Sequence, residues 1–300
     1  MTDSKRSEGV FLVVGATGNV GSEVTDQLLE RGLHTRVFTR NAAKVERWGD
    51  RVEVAIGDFQ SPDTFARAVN GAEAVFVMSQ SPDQQAFARL IDAAKLFGQP
   101  RIVFLSSLAA KQPDLQIGVL HKQKEDTIRA SGLPAVFVRP GGFMSNSYQW
   151  IPSINAEGVV YNALGDTRFA PVAPEDIAAV AVESLIRPEL SGKTFDVTGG
   201  ELLNVPEQVE ILAKVLQKPL RCIEITVETA IENLTRTGIP APIARAVGES
   251  YRAVRDGGIL GVRDTIETVT GRKPMIFETW ARRHASRFLS PVAEYAASRA

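Results

Sequence analysis

The first apolar run of the chain is followed at once by glycines at every third position. Residues 10–14 form the run, and the next seven residues read GATGNVG. Glycine at these positions permits a tight turn, close approach of the backbone to a pyrophosphate, and close packing of a helix on a strand. The helix N-terminus that follows offers unpaired N–H groups and a partial positive charge. This feature predicts a phosphate-binding loop made of Gly15, Ala16, Thr17, Gly18, Asn19, Val20 and Gly21.

Short apolar runs recur over the first 200 residues and alternate with stretches of helical spacing. The runs are continuous in hydrophobicity, which is typical of strands covered on both faces of a parallel sheet. Alternation of strand and helix predicts right-handed crossovers and an α/β Rossmann fold with a doubly wound parallel sheet. The predicted strands are 10–14, 37–38, 52–56, 74–78, 102–105, 135–138 and 195–197.

Capping residues predict where several helices begin and end. The helical period after the glycine loop stops at Gly32, which we expect to be a C-terminal cap. Ser61 and Ser81 each precede a proline, so each is expected to be an N-cap with proline at the first helical position. Gln84 would complete a capping box with Ser81. Another helix is expected to open at Pro174.

The pattern indicates two lobes. We expect a Rossmann domain over 1–200, interrupted at about 143–170 by an excursion without clear periodicity. A smaller, mainly helical C-terminal lobe would cover 201–300, with helices at 226–237, 242–256 and 274–289. A short strand-like run surrounds Cys222.

Composition excludes several classes of protein. The 300 residues include 34 Lys and Arg against 35 Asp and Glu, so the net charge of −1 argues against a nucleic-acid binder that needs a basic face. One cysteine and three histidines predict neither an internal disulfide nor a zinc site. The polar start MTDSKRSEG lacks the apolar core of a signal peptide, and no apolar run is long enough to span a bilayer. We expect a cytoplasmic protein that does not bind membranes.

The residues after the second strand predict the choice of dinucleotide. An acidic residue there binds the ribose 2′-hydroxyl of NAD. Between Arg31 and Val45 the chain has no Asp or Glu, whereas Arg40 and Lys44 are present. A guanidinium can pair a 2′-phosphate in bidentate fashion, and a lysine adds a second charge. We therefore expect the cofactor to be NADP(H).

Other candidate cofactor contacts lie at the ends of the later strands. In sheets of this kind, ligands bind beyond the carboxyl ends of the strands. A carboxylate after the third strand can accept a hydrogen bond from an adenine amino group, and serines follow the fourth and fifth strands. The candidates are Asp58, Phe59, Met78, Ser79 and Ser106.

The chain resembles the NmrA-like family of atypical short-chain dehydrogenases/reductases. The motifs that carry the resemblance are LVVGATGNVG, FTRN, GDF, IVFLSS, HKQKEDTIRASGLPAVFVRPGGFMSN, APVAPEDIAAVAVESL and KTFDVTGG, in that order over nearly the whole chain. The segment TGIPAPIARAVGESYRAV and the helix around Trp280 resemble the triphenylmethane, azo-dye and quinone reductase branch. The resemblance implies that the loop with Pro140, Gly141 and Phe143 passes under the nicotinamide.

One departure from the family pattern bears on mechanism. Short-chain dehydrogenases usually carry a YxxxK pair on the helix after the fifth strand, but here Ile117 occupies the Tyr position and His121 the Lys position. A shift of register would bring in Lys122 or Lys124 instead, and the first tyrosine of the chain is Tyr148. His121 is the candidate catalytic acid, because an imidazole titrates near neutral pH, and also a candidate ribose contact.

The excursion is rich in aromatic residues, which suit a planar, apolar substrate. The candidate substrate contacts are Phe143, Tyr148, Trp150 and Tyr161, with a small core of the lobe as the alternative role. We expect an NADPH-dependent reductase of a small planar electrophile such as a quinone, an azo compound or a triphenylmethane dye. The alternatives are a non-catalytic NADP(H) sensor that binds a protein partner, and a biosynthetic ketone reductase or epimerase. The oligomeric state stays open.

Overall fold

A seven-stranded parallel sheet forms the larger lobe. The computed structural model describes residues 9–58, 60–79, 81–257 and 261–289. The strand order is β3-β2-β1-β4-β5-β6-β8, and every pairing is parallel. The strands are β1 (Val10–Val14), β2 (Thr35–Thr39), β3 (Val52–Ile56), β4 (Ala72–Val77), β5 (Arg101–Leu105), β6 (Ala135–Pro140) and β8 (Thr194–Val197). All seven predicted strands and the doubly wound α/β fold are confirmed.

Helices cover both faces of this sheet. One face packs against α1 (Asn19–Glu30) and α6 (Pro174–Ile186). The other face packs against α2 (Pro62–Val69), α3 (Gln84–Phe97) and α4 (Gln116–Ser131). The strand order reverses between β1 and β4, so the glycine loop after β1 lies at the switch point where such sheets bind ligands. In the ranges described above, no helix combines the length and the apolar character needed to cross a membrane.

The second lobe has its own core, built from the excursion and the C-terminal part of the chain. Its elements are α5 (Ile151–Glu157), β7 (Val159–Asn162), α7 (Val205–Leu216), β9 (Arg221–Glu224), α8 (Val227–Arg236), α9 (Ala241–Arg255), α11 (Phe277–Arg283) and α12 (Ala285–Leu289). Helix α10 (Thr265–Thr270) instead returns to the larger lobe, where Ile266 and Val269 join the core beside α6. Helices predominate, as expected. Strands β7 and β9 pair in parallel, so the excursion contains a strand that its sequence pattern did not predict.

Two predicted helix boundaries are wrong. The third helix starts at Gln84, and its N-cap is Asp83, whose carboxylate accepts the Ala86 N–H at 2.9 Å. Ser81 therefore lies outside the helix, because the aspartate two residues later is the better-placed acceptor. The helix predicted over 274–289 is two helices, since the backbone leaves the helical conformation at His284.

A buried carboxylate ties α4 to the strands that it covers. Glu125 is fully buried, and its Oε1 accepts the Ser106 hydroxyl at 2.6 Å and Nε of Arg139 at 2.8 Å. Its Oε2 accepts Nη2 of Arg139 at 2.5 Å and Nη2 of Arg129 at 3.0 Å. Burial alone would raise the pKa of Glu125, but the hydrogen bonds from Arg139 and Ser106 and the charge of Arg139 lower it below its usual value. The ends of β5 and β6 are thereby fixed against α4.

Replacing Glu125 by Gln should therefore destabilise the folded protein. Glu125→Gln leaves the mostly buried Arg139 without a counter-charge, and loss of one partner of such a pair costs about 3–5 kcal/mol of unfolding free energy. The matched control is Asp126→Asn on the same helix, because Asp126 is an exposed ion-pair partner whose loss should cost about 0–1 kcal/mol.

Urea unfolding monitored by circular dichroism measures both variants. Because the pKa of Glu125 is lowered in the folded state, its contribution is present above 4.5, the usual carboxyl pKa, and is lost as the pH falls. The difference in unfolding free energy between wild type and Glu125→Gln should therefore become smaller at acid pH. Equal stabilities of the two variants at pH 7 would contradict the role of this ion cluster.

Candidate functional site

The glycine loop brings the start of α1 against the end of β1 with no room for side chains. Gly15 has φ of 82°, in the left-handed region, and its carbonyl accepts the Gly18 N–H at 3.0 Å. A Cβ on Gly21 would lie 2.1 Å from the Gly15 oxygen, and one on Gly15 would lie 2.5 Å from Cγ of Met78. Gly15 and Gly21 thus have no room for a side chain, as the close backbone approach of a phosphate-binding turn requires.

The N-terminus of α1 is open to an anion. Its N-cap is Gly18, which has no side chain to satisfy the first N–H groups, and its first turn contains no acidic residue. The N–H groups of the first turn, beginning at Asn19, have no acceptor within the helix. Nδ2 of Asn19 donates to Oγ of Ser145 at 3.3 Å, so the loop also contacts the second lobe. The residues present fit the pyrophosphate of a dinucleotide.

Positive charge lies beside this loop at the end of β2. Arg40 and Lys44 are exposed, and among the described residues neither side chain has an ion-pair or hydrogen-bond partner. Arg36 on the same strand differs, because its guanidinium binds the carbonyls of Ala68 and Asn70 and the carboxylate of Glu53. Two cations are therefore available where a 2′-phosphate would lie.

Some candidate cofactor contacts after β3 and β4 already make contacts within the protein. Oδ1 of Asp58 accepts the Gln60 N–H at 2.8 Å, which holds the turn after β3. Met78 packs over Gly15, and Ser79 is buried. Phe59, another candidate cofactor contact, lies outside the described residues.

Lys124 is a structural residue of this site, and the sequence indicates it only as a register alternative to His121. It is buried, and Nζ donates to the carbonyl oxygens of Ser79 and Ser81, at 2.8 Å each. Burial lowers the pKa of Lys124 to about 8. Its helical spacing of three residues from His121 placed it on the same face of α4 and was the available signal. Lys124 therefore holds the loop after β4 against α4.

His121 is unsuited to donate a proton as an imidazolium. Burial, together with the charge of Lys124, lowers the pKa of His121 to about 4, although Glu125 opposes the shift. Its Nδ1 is buried and has no hydrogen-bond partner in the described part of the chain. Because this nitrogen is closed off from solvent, it offers no contact to a ligand in this conformation, and the ribose contact of His121 stays a prediction. The lowered pKa corrects the expectation of an acid with an ordinary imidazole pKa.

Ser106 stays a predicted cofactor contact, but only as an acceptor. Its hydroxyl is buried and donates to Glu125, so the proton that a ribose would accept is already used. The sequence placed Ser106 properly at the end of β5, but its partner is 19 residues away on α4.

The loop after β6 lies at the same edge of the sheet. Pro140 ends the strand, and the N–H of Gly141 donates to the carbonyl of Val197 on β8 at 2.9 Å. Phe143 is half-buried and forms the N-cap of a 3₁₀ helix, Met144–Trp150. The structure thus brings Pro140, Gly141 and Phe143 together at the carboxyl edge, where the cofactor contacts are predicted.

Most of the predicted aromatic contacts pack elsewhere. Tyr148 and Trp150 are buried in the core of the second lobe, where the Tyr148 ring lies 5.2 Å from Trp280 and burial raises its pKa to about 12. Tyr161 is exposed on β7, and its hydroxyl donates to Glu157 at 2.8 Å. Tyr148 and Trp150 are therefore core residues, because the hydrophobic interior of a small lobe requires large rings.

Comparisons with known proteins agree with this geometry. The model of the NAD(P)H-binding family matches residues 15–188. The (4-alkanoyl-5-oxo-2,5-dihydrofuran-3-yl)methyl phosphate reductase of Streptomyces griseus is 36% identical over 281 residues, which cover 93% of this chain and 99% of the relative. The NAD(P)H azoreductase of Xenophilus azovorans is 36% identical over 283 residues, with coverage of 93% and 99%.

The fold is also that of solved oxidoreductases. The NADPH-dependent quinone oxidoreductase of Escherichia coli, solved with NADPH, superposes with a TM-score of 0.80 at 22% identity, over 93% of this chain and 100% of that one. The likeness to NAD(P)H-binding oxidoreductases drawn from the motifs is confirmed.

The protonation of His121 is directly measurable. NMR of the ¹⁵N-labelled imidazole should show His121 neutral at pH 7 and titrating near pH 4, because the ring is desolvated. This folded pKa lies below the usual 6.5, so the stability it confers is present above pH 6.5 and lost towards pH 4. His121→Asn should lose less stability than wild type over that range. A midpoint near 6.5 would contradict this and restore the imidazolium acid.

Proposed function

The chain belongs to the NAD(P)H-binding family and is an NAD(P)H-dependent oxidoreductase, and we propose that it reduces a small, planar, conjugated electrophile with NADPH. The main support for this proposal is the set of residues at the usual Tyr and Lys positions of α4. The usual Tyr position is Ile117, whose side chain is 38% exposed, and the usual Lys position is His121, whose pKa is too low for an acid. The Lys124 ammonium on the same helix is buried and bound to the carbonyl oxygens of Ser79 and Ser81, so we do not assign it the role of the acid either.

A conjugated electrophile removes the need for such an acid. When bound, NADPH supplies a hydride, and electrons delivered into a quinone, an azo bond or a conjugated enone spread over the π-system. Water then provides the proton, so positioning and orientation account for most of the rate. A simple ketone would instead concentrate charge on one oxygen and require a positioned acid.

Different residues would bind different parts of the cofactor. The first-turn N–H groups of α1 would bind the pyrophosphate, and Arg40 with Lys44 would bind the 2′-phosphate. Lys124 fixes the loop after β4, and His121 is the predicted ribose contact on the same helix. Phe143 would form one wall at the reacting face.

The two 36% identical relatives support the same substrate chemistry. One is named for reduction of azo compounds and the other for an alkanoyl-dihydrofuranone phosphate. Both substrate types contain a conjugated, planar electron-poor group. We extend that shared chemistry, and neither particular compound, to this chain.

NADPH oxidation against a panel of electrophiles tests the proposal. We expect turnover with at least one of a benzoquinone, an azo dye, a triphenylmethane dye or a conjugated lactone, and no turnover with a simple ketone, because Ile117 stands in place of the usual acid. The loss of absorbance at 340 nm is the readout, with enzyme-free dye as the control. Tight NADPH binding without oxidation across the panel would contradict the reductase and favour a sensor.

The cofactor preference depends on Arg40. Arg40→Glu should weaken NADPH binding by at least about tenfold, because charge-assisted bonds to the 2′-phosphate are lost, and should change NADH binding much less. Calorimetry with both cofactors measures the ratio. Arg89→Glu, an exposed site on α3 with the same change of charge, is the matched control. Equal losses for NADPH and NADH would contradict the assignment of Arg40.

A further inference from the structure

One face of α1 lies along the contact between the two lobes. Residues four apart share a face of a helix, and Asn19, Glu23 and Gln27 follow this spacing. Nδ2 of Asn19 donates to Oγ of Ser145 in the second lobe at 3.3 Å. Nε2 of Gln27 donates to the carbonyl oxygen of Glu175 at 2.9 Å, at the start of α6. Glu23 lies between these two contacts and therefore faces the first turn of α6.

The first turn of α6 binds the C-terminal segment of the second lobe. Oδ2 of Asp176 accepts the N–H of Met275 at 2.6 Å. Oε1 of Glu175 lies 2.9 Å from Nε2 of His284, and since an ionised carboxylate only accepts, the imidazole is the donor. The second oxygen, Oε2 of Glu175, is closed off from solvent and has no hydrogen-bond partner in the described ranges. This oxygen can accept one more hydrogen bond.

A protonated Glu23 can supply that hydrogen bond. Burial is the largest cause that raises the pKa of Glu23 to about 7, and the negative charges of Glu175 and Asp26 act in the same direction. The charges of His284 and Arg47 oppose this rise in the pKa. Glu23 therefore keeps its proton over most of the range from pH 4.5, the usual carboxyl value, to pH 7.

Other charged groups around Glu23 have partners of their own. On α1 itself, Oδ2 of Asp26 pairs at 2.6 Å with Nη2 of Arg47, which lies before β3. From the second lobe, the guanidinium carbon of Arg287 lies 4.1 Å from the centroid of the Tyr148 ring. Burial raises the pKa of Tyr148 to about 12, so its hydroxyl is uncharged at neutral pH. Ionisation of Glu23 therefore adds a negative charge that the neighbouring cations do not fully offset.

We propose that Glu23 is a pH-sensitive switch between the lobes: its neutral carboxyl donates to Oε2 of Glu175 and stabilises the contact of α6 with His284, whereas its ionised form repels Glu175 and loosens that contact. The inference goes beyond the proposed function, because it involves no electrophile. Asn19 joins the start of α1 to Ser145 on the same helix face, so loosening of the lobes should also weaken cofactor binding.

The direction of the pH effect follows from proton linkage. The closed lobes bind the Glu23 proton more tightly than open lobes, in which the carboxyl pKa returns towards 4.5. The stabilisation is therefore fully present below pH 4.5 and is lost as the pH rises through 7. Glu23→Gln places a neutral amide of the same shape at this position, and its N–H can donate to Glu175 at any pH. The variant should keep the lobes closed where the wild type loosens.

Hydrogen–deuterium exchange of the Met275 amide measures the contact directly, because this N–H donates to Asp176 beside Glu175. The exchange rate would be measured at pH 5.5 and pH 7.5 and divided by the intrinsic rate of an unfolded chain at each pH. We expect the corrected rate to rise about tenfold in wild type and less than about twofold in Glu23→Gln. The matched control, Glu30→Gln, removes an exposed carboxyl at the end of α1 and should behave as wild type.

Three results of the exchange experiment would overturn the inference. A corrected rate that does not change with pH in wild type would do so without any variant. The same rise in Glu23→Gln as in wild type would assign the titration to another group, such as His284 or Asp176. Faster exchange in Glu23→Gln than in wild type at both pH values would show that Glu23 has a structural role alone.

Calorimetry with NADP⁺ tests whether the switch affects the cofactor. Wild type and Glu23→Gln are compared at the same pH, so ionisation of the 2′-phosphate affects both equally. We expect Glu23→Gln to bind NADP⁺ at least about threefold more tightly than wild type at pH 7.5, and equally within about twofold at pH 5.5, because its lobes stay closed. Equal affinities at both pH values would refute the effect on cofactor binding. Since no electrophile is present, these results do not depend on the proposed reductase activity.

Discussion

The carbonyl of Gly15 and the α-carbon of Gly21 approach so closely that no side chain fits between them. A Cβ at Gly21 would lie 2.1 Å from that oxygen. This contact sets how α1 leaves β1, and with it the direction of the first-turn amides. Because β1 and β4 flank the reversal of strand order, this turn lies at the crevice that the reversal leaves at the carboxyl ends of the strands. Every other candidate cofactor contact is placed relative to this turn.

Helix α4 buries three ionisable side chains against the strands that it covers. His121, Lys124 and Glu125 lie at i, i+3 and i+4, so all three face inward. Each is stabilised differently in the interior. Glu125 pairs with arginines, and Lys124 donates hydrogen bonds to two carbonyl oxygens. His121 stays uncharged. Burying three ionisable groups in this way stabilises the loops at the ends of β4, β5 and β6. His121 is thereby kept neutral near pH 7, and the Lys124 ammonium is held by the carbonyl oxygens of Ser79 and Ser81.

Features that depend on neighbouring residues in the sequence could be predicted, whereas features that depend on contacts between distant residues could not. The strands, the glycine loop and the position of Arg40 were predictable because period, turn chemistry and charge are local properties of the chain. The commitment of Ser106 to Glu125 was not, since a hydroxyl at a strand end looks the same whether its partner is a ligand or a helix 19 residues on. The aromatic residue Tyr148 misled for a similar reason. A ring suited to a planar ligand is equally suited to a core, and only the fold decides between them.

The same reasoning explains why the two halves of the site differ. The half that would hold the cofactor is built almost entirely from strand ends and their following turns, which one short motif after another encodes. The second lobe is joined by long-range contacts such as the hydrogen bond between Tyr251 and Gln149, which are 102 residues apart. Neither residue is unusual in its local sequence. Local sequence therefore predicts the turns that would hold the cofactor, whereas the contacts of the second lobe become visible only in the fold.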